Sequence, residues 1–312
     1  PTRTNGSGTA VSDAANLFTI GYRPQGNNSY FKGSLDDFRI WKRTLTPSDV
    51  DTLYRAPSVA LDDVNFNTAV NLWSSDQTAA TATYGHIKDW NVSGVTNLDS
   101  AFENRVSFNE DISDWNVSNV TSMKYTFYRA ESFNRDIGGW DVSAVTDMNY
   151  TFMRAYAFNQ DIGDWNVSKV TNMRCMFQGA SSFNQPIGNW NTSSVTDMGW
   201  MFRWAYVFNQ PIGNWNVSAV SQISGMFHAA SNFNQPIGNW DVSSVNYMSS
   251  MFHNAQSFNQ PIGDWNVSAV ANMSIMFNEA ASFNQPLGDW NTSSVTKMDY
   301  MFRQASSFNQ TL

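Results

Sequence analysis

The chain has 312 residues, of which 14% are charged and 15% aromatic, with a net charge of −8 and a single cysteine, Cys175. Aromatic richness excludes an intrinsically disordered chain, the acidic balance argues against a nucleic-acid partner, which needs clustered Lys and Arg, and one cysteine excludes an internal disulfide. No apolar run approaches the length of about 18 residues that reads as a membrane span, and the stretch that opens at Pro1 is not expected to be a signal peptide. The chain opens and closes in mid-pattern, as expected of a piece of a longer polypeptide with targeting segments elsewhere.

In chain order, Phe18-Thr-Ile-Gly-Tyr is a short strand-like run and Gln25-Gly-Asn-Asn-Ser a turn. From Tyr30 to Trp41, Phe38 and Ile40 alternate with Asp37 and Arg39, the pattern of a half-buried strand. Thr46-Pro47-Ser48-Asp49 then predicts a helix start, with Thr46 as N-cap, Pro47 at the first helical position and Asp49 completing a capping-box-like arrangement. That helix ends near Tyr54.

The runs Gly33-Ser-Leu-Asp-Asp-Phe-Arg-Ile-Trp41 and Leu45-Thr-Pro-Ser-Asp-Val-Asp-Thr-Leu-Tyr54 resemble the C-terminal end of laminin-G-like, concanavalin-type jelly-roll domains. The resemblance covers the last quarter of such a domain. Its relatives often bind glycans or Ca²⁺ through loops that would lie upstream of Pro1, so no site is carried over. Asp36 and Asp37 read as strand-edge and Arg-pairing residues. Residues 1–55 are therefore expected to be a β-rich fragment, and 56–85 a linker and helical cap, with apolar positions 66, 69, 70 and 73 and Asn67 as the helix cap.

From residue 86 the chain repeats. Trp recurs at 90, 115, 140, 165, 190, 215, 240, 265 and 290, a period of 25 without insertion. Val95 to Val295, Leu98 to Met298, Phe102 to Phe302, Phe108 to Phe308 and Ile112 to Leu312 keep the same beat. Ala does so from Ala130 to Ala305, after Arg105 in the first copy. A fixed period in this range means stacked repeats. In one copy, Trp190 and Thr192 share a face of a short strand, and Val195, Met198, Met201, Phe202 and Ala205 follow at helical spacing. The expected fold over 86–312 is an α/β repeat solenoid: nine 25-residue repeats, each a short parallel strand plus a short helix. A lone repeat cannot offset the entropy of ordering its own residues, so neighbours must share the core. At about 4.8 Å per rung the stack would be about 40 Å long.

The pattern Met-Phe-x-x-Ala-x-x-Phe-Asn-Gln-x-Ile-x-x-Trp-x-Val-Ser-x-Val-Thr-x-Met closely resembles the 25–26-residue surface-protein repeat of the BspA-like leucine-rich-repeat group, also called the mycoplasma-lipoprotein-associated repeat. Ala69-Val-Asn-Leu-Trp and Tyr84-Gly-His-Ile are similar to its usual lead-in, so the resemblance covers 64–312. It implies a right-handed, leucine-rich-repeat-like stack, displayed on a cell surface or secreted, commonly in adhesion or unassigned roles, with no catalytic residues.

The recurring polar residues read first as structure. Asn109, Asn134, Asn159, Asn184, Asn209, Asn234, Asn259, Asn284 and Asn309 form an expected amide ladder. Asn91, Asn116, Asn166, Asn191, Asn216, Asn266 and Asn291 each start an Asn-x-Ser sequon on the sheet face, with Asp141 and Asp241 interrupting the row. Rungs about 4.8 Å apart leave little room for glycans, so partial N-glycosylation at most is expected there. The sequons at Asn5, Asn27, Asn119, Asn149, Asn272 and Asn309 are expected to have more room. An ice-binding array finds no Thr-x-Thr pattern to support it. His228 and His253 share a column and read as solvated helix surface, with a metal pair as the alternative. Asp111, Asp136 and Asp161 stack before Pro takes over the column, and Ca²⁺ is the one cofactor that ladder could take. Otherwise no cofactor is expected, and no phosphate loop, nucleophile elbow or zinc spacing is present.

The variable positions carry the functional expectation. Tyr125, Tyr128, Tyr150, Tyr156, Trp200, Trp204 and Tyr206 collect on the helical side of repeats two to five, among Arg129, Arg154, Arg174 and Arg203. Aromatic plus Arg is the composition of interface hot spots and of sugar platforms. The expectation is a non-catalytic extracellular or cell-surface protein that packs against other subunits or matrix components. Carbohydrate binding is the alternative.

Overall fold

The computed structural model describes residues 59–311, which fall in the second of two units of the chain, Asp51–Leu312. The expectations for 1–55, including Asn5 and Asn27, lie outside the described residues.

Two helices precede the repeats: α1, Phe66–Ser75, and α2, Gln77–Tyr84. The apolar positions of α1, Phe66, Ala69, Val70 and Trp73, are its buried face. Asn67 is not the cap. It lies inside α1, whose N-cap residue is Asn65, whereas Asp76 does cap α2, accepting from the Ala79 N–H at 2.9 Å. α1 lays Trp73 against Trp90 (6.0 Å between ring centroids) and Phe66 against Trp115 (5.9 Å). A 3₁₀ turn at Ile87–Asp89 leads into the first coil.

The coils stack in register, but not as strand plus helix. Each neighbouring pair shares a single parallel bridge, from Asn97↔Ser122 to Asn272↔Lys297, and the stretch expected to be helical is a run of turns. The backbone explains the difference. In every coil two residues four apart sit in the left-handed region: Tyr125 and Arg129 (both φ 56°), Tyr150 and Arg154 (both 58°), Trp200 and Trp204 (both 61°). Bulky side chains rarely take that conformation, and it stops a right-handed helix. Alternate N–H groups therefore leave the coil. Those of Met123, Tyr125, Phe127 and Arg129 donate to the carbonyls of Asp147, Asn149, Thr151 and Met153 in the next coil, at 2.8–3.1 Å. The N–H groups that follow in alternation, of Thr126, Tyr128 and Ala130, donate three residues back to Met123, Tyr125 and Phe127. That local three-residue bonding gives apolar side chains the spacing a helix would have shown.

The core is a set of ladders. Phe202 stacks on Phe208 of its own coil (4.0 Å) and on Phe227 of the next (5.8 Å), and Trp190 stacks on Trp215 (6.2 Å). Each buried indole N–H in this ladder is satisfied by the preceding coil, as Trp190 Nε1 donates to Ile162 O at 3.1 Å.

Candidate functional site

The recurring amides are held by the coil stack itself. Asn159 Oδ1 accepts the backbone N–H of Asn184 (2.9 Å), and Gln185 Nε2 donates to both Asn159 O and Oδ1 (3.0 Å each). The same pattern runs from Asn134 N on Asn109 Oδ1 to Asn309 N on Asn284 Oδ1. The column of Gln beside the Asn is thus half of the ladder, a partner the sequence reading passed over.

The sequon row makes no rung-to-rung bonds. Asn191 Oδ1 accepts from Ser193 N (3.2 Å) and Ser193 Oγ (2.7 Å) of its own coil, and Asn91, Asn116, Asn216 and Asn266 do likewise. Asn166 and Asn291 accept the Ser N–H alone. Each is an Asx turn on an exposed residue. Asp141 and Asp241 fill the same place, and the serine bonds hold their carboxyls below the usual range. Among the sequons off this row, Asn119 and Asn309 are exposed. Asn149 and Asn272 have less room than expected, because both are half-buried beside the inter-coil bridge and Thr151 of the Asn149 sequon is fully buried.

The acidic ladder is also spent locally. Asp111, Asp136 and Asp161 are exposed, and each accepts the N–H two residues on, at 2.9–3.1 Å. Among the described residues no group of three or more His, Cys, Asp or Glu converges as a metal site would, and no helix is long and apolar enough to cross a membrane. Cys175 is buried, which pushes its thiol up to about 11.

The aromatic and Arg residues do gather on one side, though as a packed strip more than an open platform. Tyr125 stacks on Tyr150 (4.6 Å) and stands edge-on to Tyr128 (5.7 Å). Arg154 lies over Gly179 of the next coil, and Arg174 pairs with Asp197 at 3.7 Å. Arg129 faces Glu131 at 3.9 Å. Arg203 sits 3.7 Å from the ring of Trp204 and 4.9 Å from that of Trp200, a cation–π arrangement. The Trp200 ring covers Gly225 of the next coil so closely that a Cβ there would fall 2.1 Å from it. These residues are half-buried. Tyr156 and Tyr206, at 41% and 48% exposure, with Val207 beside Tyr206, are the parts of the strip open to solvent.

His228 and His253 are not solvated surface. Their rings lie 4.4 Å apart, and His228 is enclosed by Trp200 (5.8 Å) and Trp204 (6.3 Å). Burial first, then His253 and Arg203, pull the His228 pKa down to about 3, and burial lowers His253 as well. A group whose folded pKa is depressed binds protons more readily when unfolded, so its contribution is complete above about pH 6.5 and is lost on acidification. The denaturation midpoint should therefore drop between pH 7.5 and 5, and His228→Gln should flatten that dependence. An unchanged slope in the variant would remove His228 as its source.

Among curated proteins none matches the chain. Residues 2–51 match the Concanavalin A-like lectin/glucanases superfamily, in line with the laminin-G-like resemblance of that stretch. Three overlapping matches, over residues 70–174, 160–256 and 236–312, fall on the repeats. Through those matches, which together run from residue 70 to the end of the sequence, the chain belongs to the repeat family described as Mycoplasma protein of unknown function, DUF285.

Proposed function

We propose that the chain is a non-catalytic structural or adhesion protein of the cell surface or extracellular space. In this reading its stack, right-handed and leucine-rich-repeat-like as in the BspA-like group, packs against other protein subunits or matrix components. The observation that carries the reading is the continuity of the inter-coil bonding. At least five backbone bonds between neighbouring coils, the Trp ladder and the Asn–Gln ladder recur through the described repeats, and such a stack keeps its outer columns at fixed spacing. The recurring polar groups are taken up by turns and backbone donors, which supports scaffold over catalysis. Contact with a partner then falls to the varying columns, where Tyr156, Tyr206 and Val207 stay exposed.

The test is association measured by light scattering at high concentration. Tyr156→Ala with Tyr206→Ala should leave unfolding unchanged and weaken association about 30-fold or more, the effect of losing a hot spot worth about 2 kcal/mol. A wild-type chain that stays monomeric and binds no surface component would sink the proposal. Substituting Trp200 or Trp204 is a poorer test, since both pack on the next coil. The second reading, carbohydrate binding, is favoured by the lectin-like match of residues 2–51, and a glycan array without hits removes it.

A further inference from the structure

Arg105 breaks a column. The same position is alanine from Ala130 to Ala305, and Ala130 to Ala280 are closed into the core. Beside Arg105 lies a cleft of about 550 Å³, formed by the end of α1, the start of α2 and residues of the 104–110 stretch. Arg105 Nε donates to Ala101 O at 3.2 Å and Nη2 to Asn71 Oδ1 at 2.7 Å. A guanidinium carries five N–H donors, so three are left over. Among the described residues no carboxylate pairs with Arg105; the ion pairs lie elsewhere. Burial pulls its pKa below the usual guanidinium value, the mark of a partly desolvated cation without a counter-charge.

Two more departures meet in the same cleft. Glu110 stands where the later coils from Gln160 onward carry glutamine, and it accepts from Gln77 Nε2 at 3.4 Å. Trp73 lines the cleft at 4% exposure, and its indole N–H has no acceptor. Every tryptophan of the 25-residue column has one, from Trp90 on Gly85 O to Trp290 on Ile262 O.

We infer that this cleft binds a carboxylated saccharide of the uronic-acid type, its carboxylate on the free N–H groups of Arg105 and its hydroxyls on the polar rim. Guanidinium and carboxylate match as a planar, charge-assisted pair. The rim supplies donors and acceptors in small polar side chains, Asn104, Ser107 and Gln77 among them, which suits a ring of hydroxyls. Val106 is the one exposed apolar lining residue, so a peptide would find no pocket for an apolar side chain. Glu110 accepts from hydroxyls and repels a second carboxylate. The site goes beyond the packing role and does not depend on it.

The test titrates the whole chain with glucuronate, using glucose as neutral control and galactarate as a dicarboxylate, followed by NMR or calorimetry. Glucuronate should bind saturably and about 10–100-fold tighter than glucose, the worth of hydrogen bonds to a charged group. Arg105→Ala and Glu110→Gln each install the residue the later coils carry, so both should keep the fold. Arg105→Ala should lose the preference for glucuronate, and Glu110→Gln should keep it while admitting galactarate. Absence of saturable binding, equal affinity for glucose, or full glucuronate affinity in Arg105→Ala would overturn the inference. A sugar site in the lectin-like stretch would survive Arg105→Ala, so the two readings fail separately.

Discussion

Phe202→Ala is expected to cost about 3–5 kcal/mol, the range for emptying an aromatic core position. The ring touches Phe208 in its own coil, Phe177 before it, and Phe227 and Trp215 after it, so the cavity opens on three coils at once. Because each coil bonds to its neighbours and to nothing more distant, the damage should be regional. Hydrogen exchange is the suitable measurement. Amides of Phe177, Phe202 and Phe227, whose N–H groups bridge to the following coil, should lose most of their protection, while Phe127 and Thr126 should keep theirs. Phe302→Ala provides the contrast in this 312-residue chain, since Phe302 is half-buried and its loss should cost clearly less. Equal costs at the two positions, or a uniform loss of protection along the stack, would show that the repeats do not behave as a nearest-neighbour array.

The same columns show how far the sequence can be read. Burial was legible: Trp, Phe, Val and Ile recur at one period, and residues so spaced share one environment in a stack. The backbone was not. Left-handed positions are ordinarily signalled by Gly or Asn, yet here the two columns hold Tyr125, Arg154, Trp200 and even β-branched Ile275 (φ 63°). Only Gly179, Gly225, Asn104 and Asn254 carry the usual mark, and none recurs often enough to reveal a column. Three-residue turn bonding reproduces helical spacing, so the spacing predicts a helix where the coil forms turns. The aromatic strip was legible as a cluster but not as packing, because whether Trp200 lies open or covered depends on the residue 25 positions later. Arg105 was visible as an exception in the alanine column. Its meaning needed the position of α1, which no repeat pattern encodes.

That dependence on the next coil can be measured at Gly225. A left-handed backbone is not what requires glycine there, since Cys175, Ser250 and Ile275 occupy the same column with φ of 56–63°. What excludes a Cβ is the Trp200 ring, whose nearest atoms would lie 2.1 and 2.2 Å away. Gly225→Ala must therefore displace the indole, and with it the Arg203 guanidinium and the wall over His228. The expected cost is about 1–3 kcal/mol for overpacking, with a further ~1 kcal/mol because alanine is less at ease than glycine in the left-handed region. In a Trp200→Ser background the ring is gone, and serine suits the column, as Ser100 and Ser250 do at φ 58°. There Gly225→Ala should retain only the backbone penalty. The double-mutant cycle should return a coupling of about 1–3 kcal/mol, read from denaturation midpoints of the four chains. Additive costs would mean that Trp200 swings clear freely, and that the strip is an adaptable surface. Coupled costs mean that the variable columns are fitted coil to coil, so a change at one rung constrains the residue tolerated at the next.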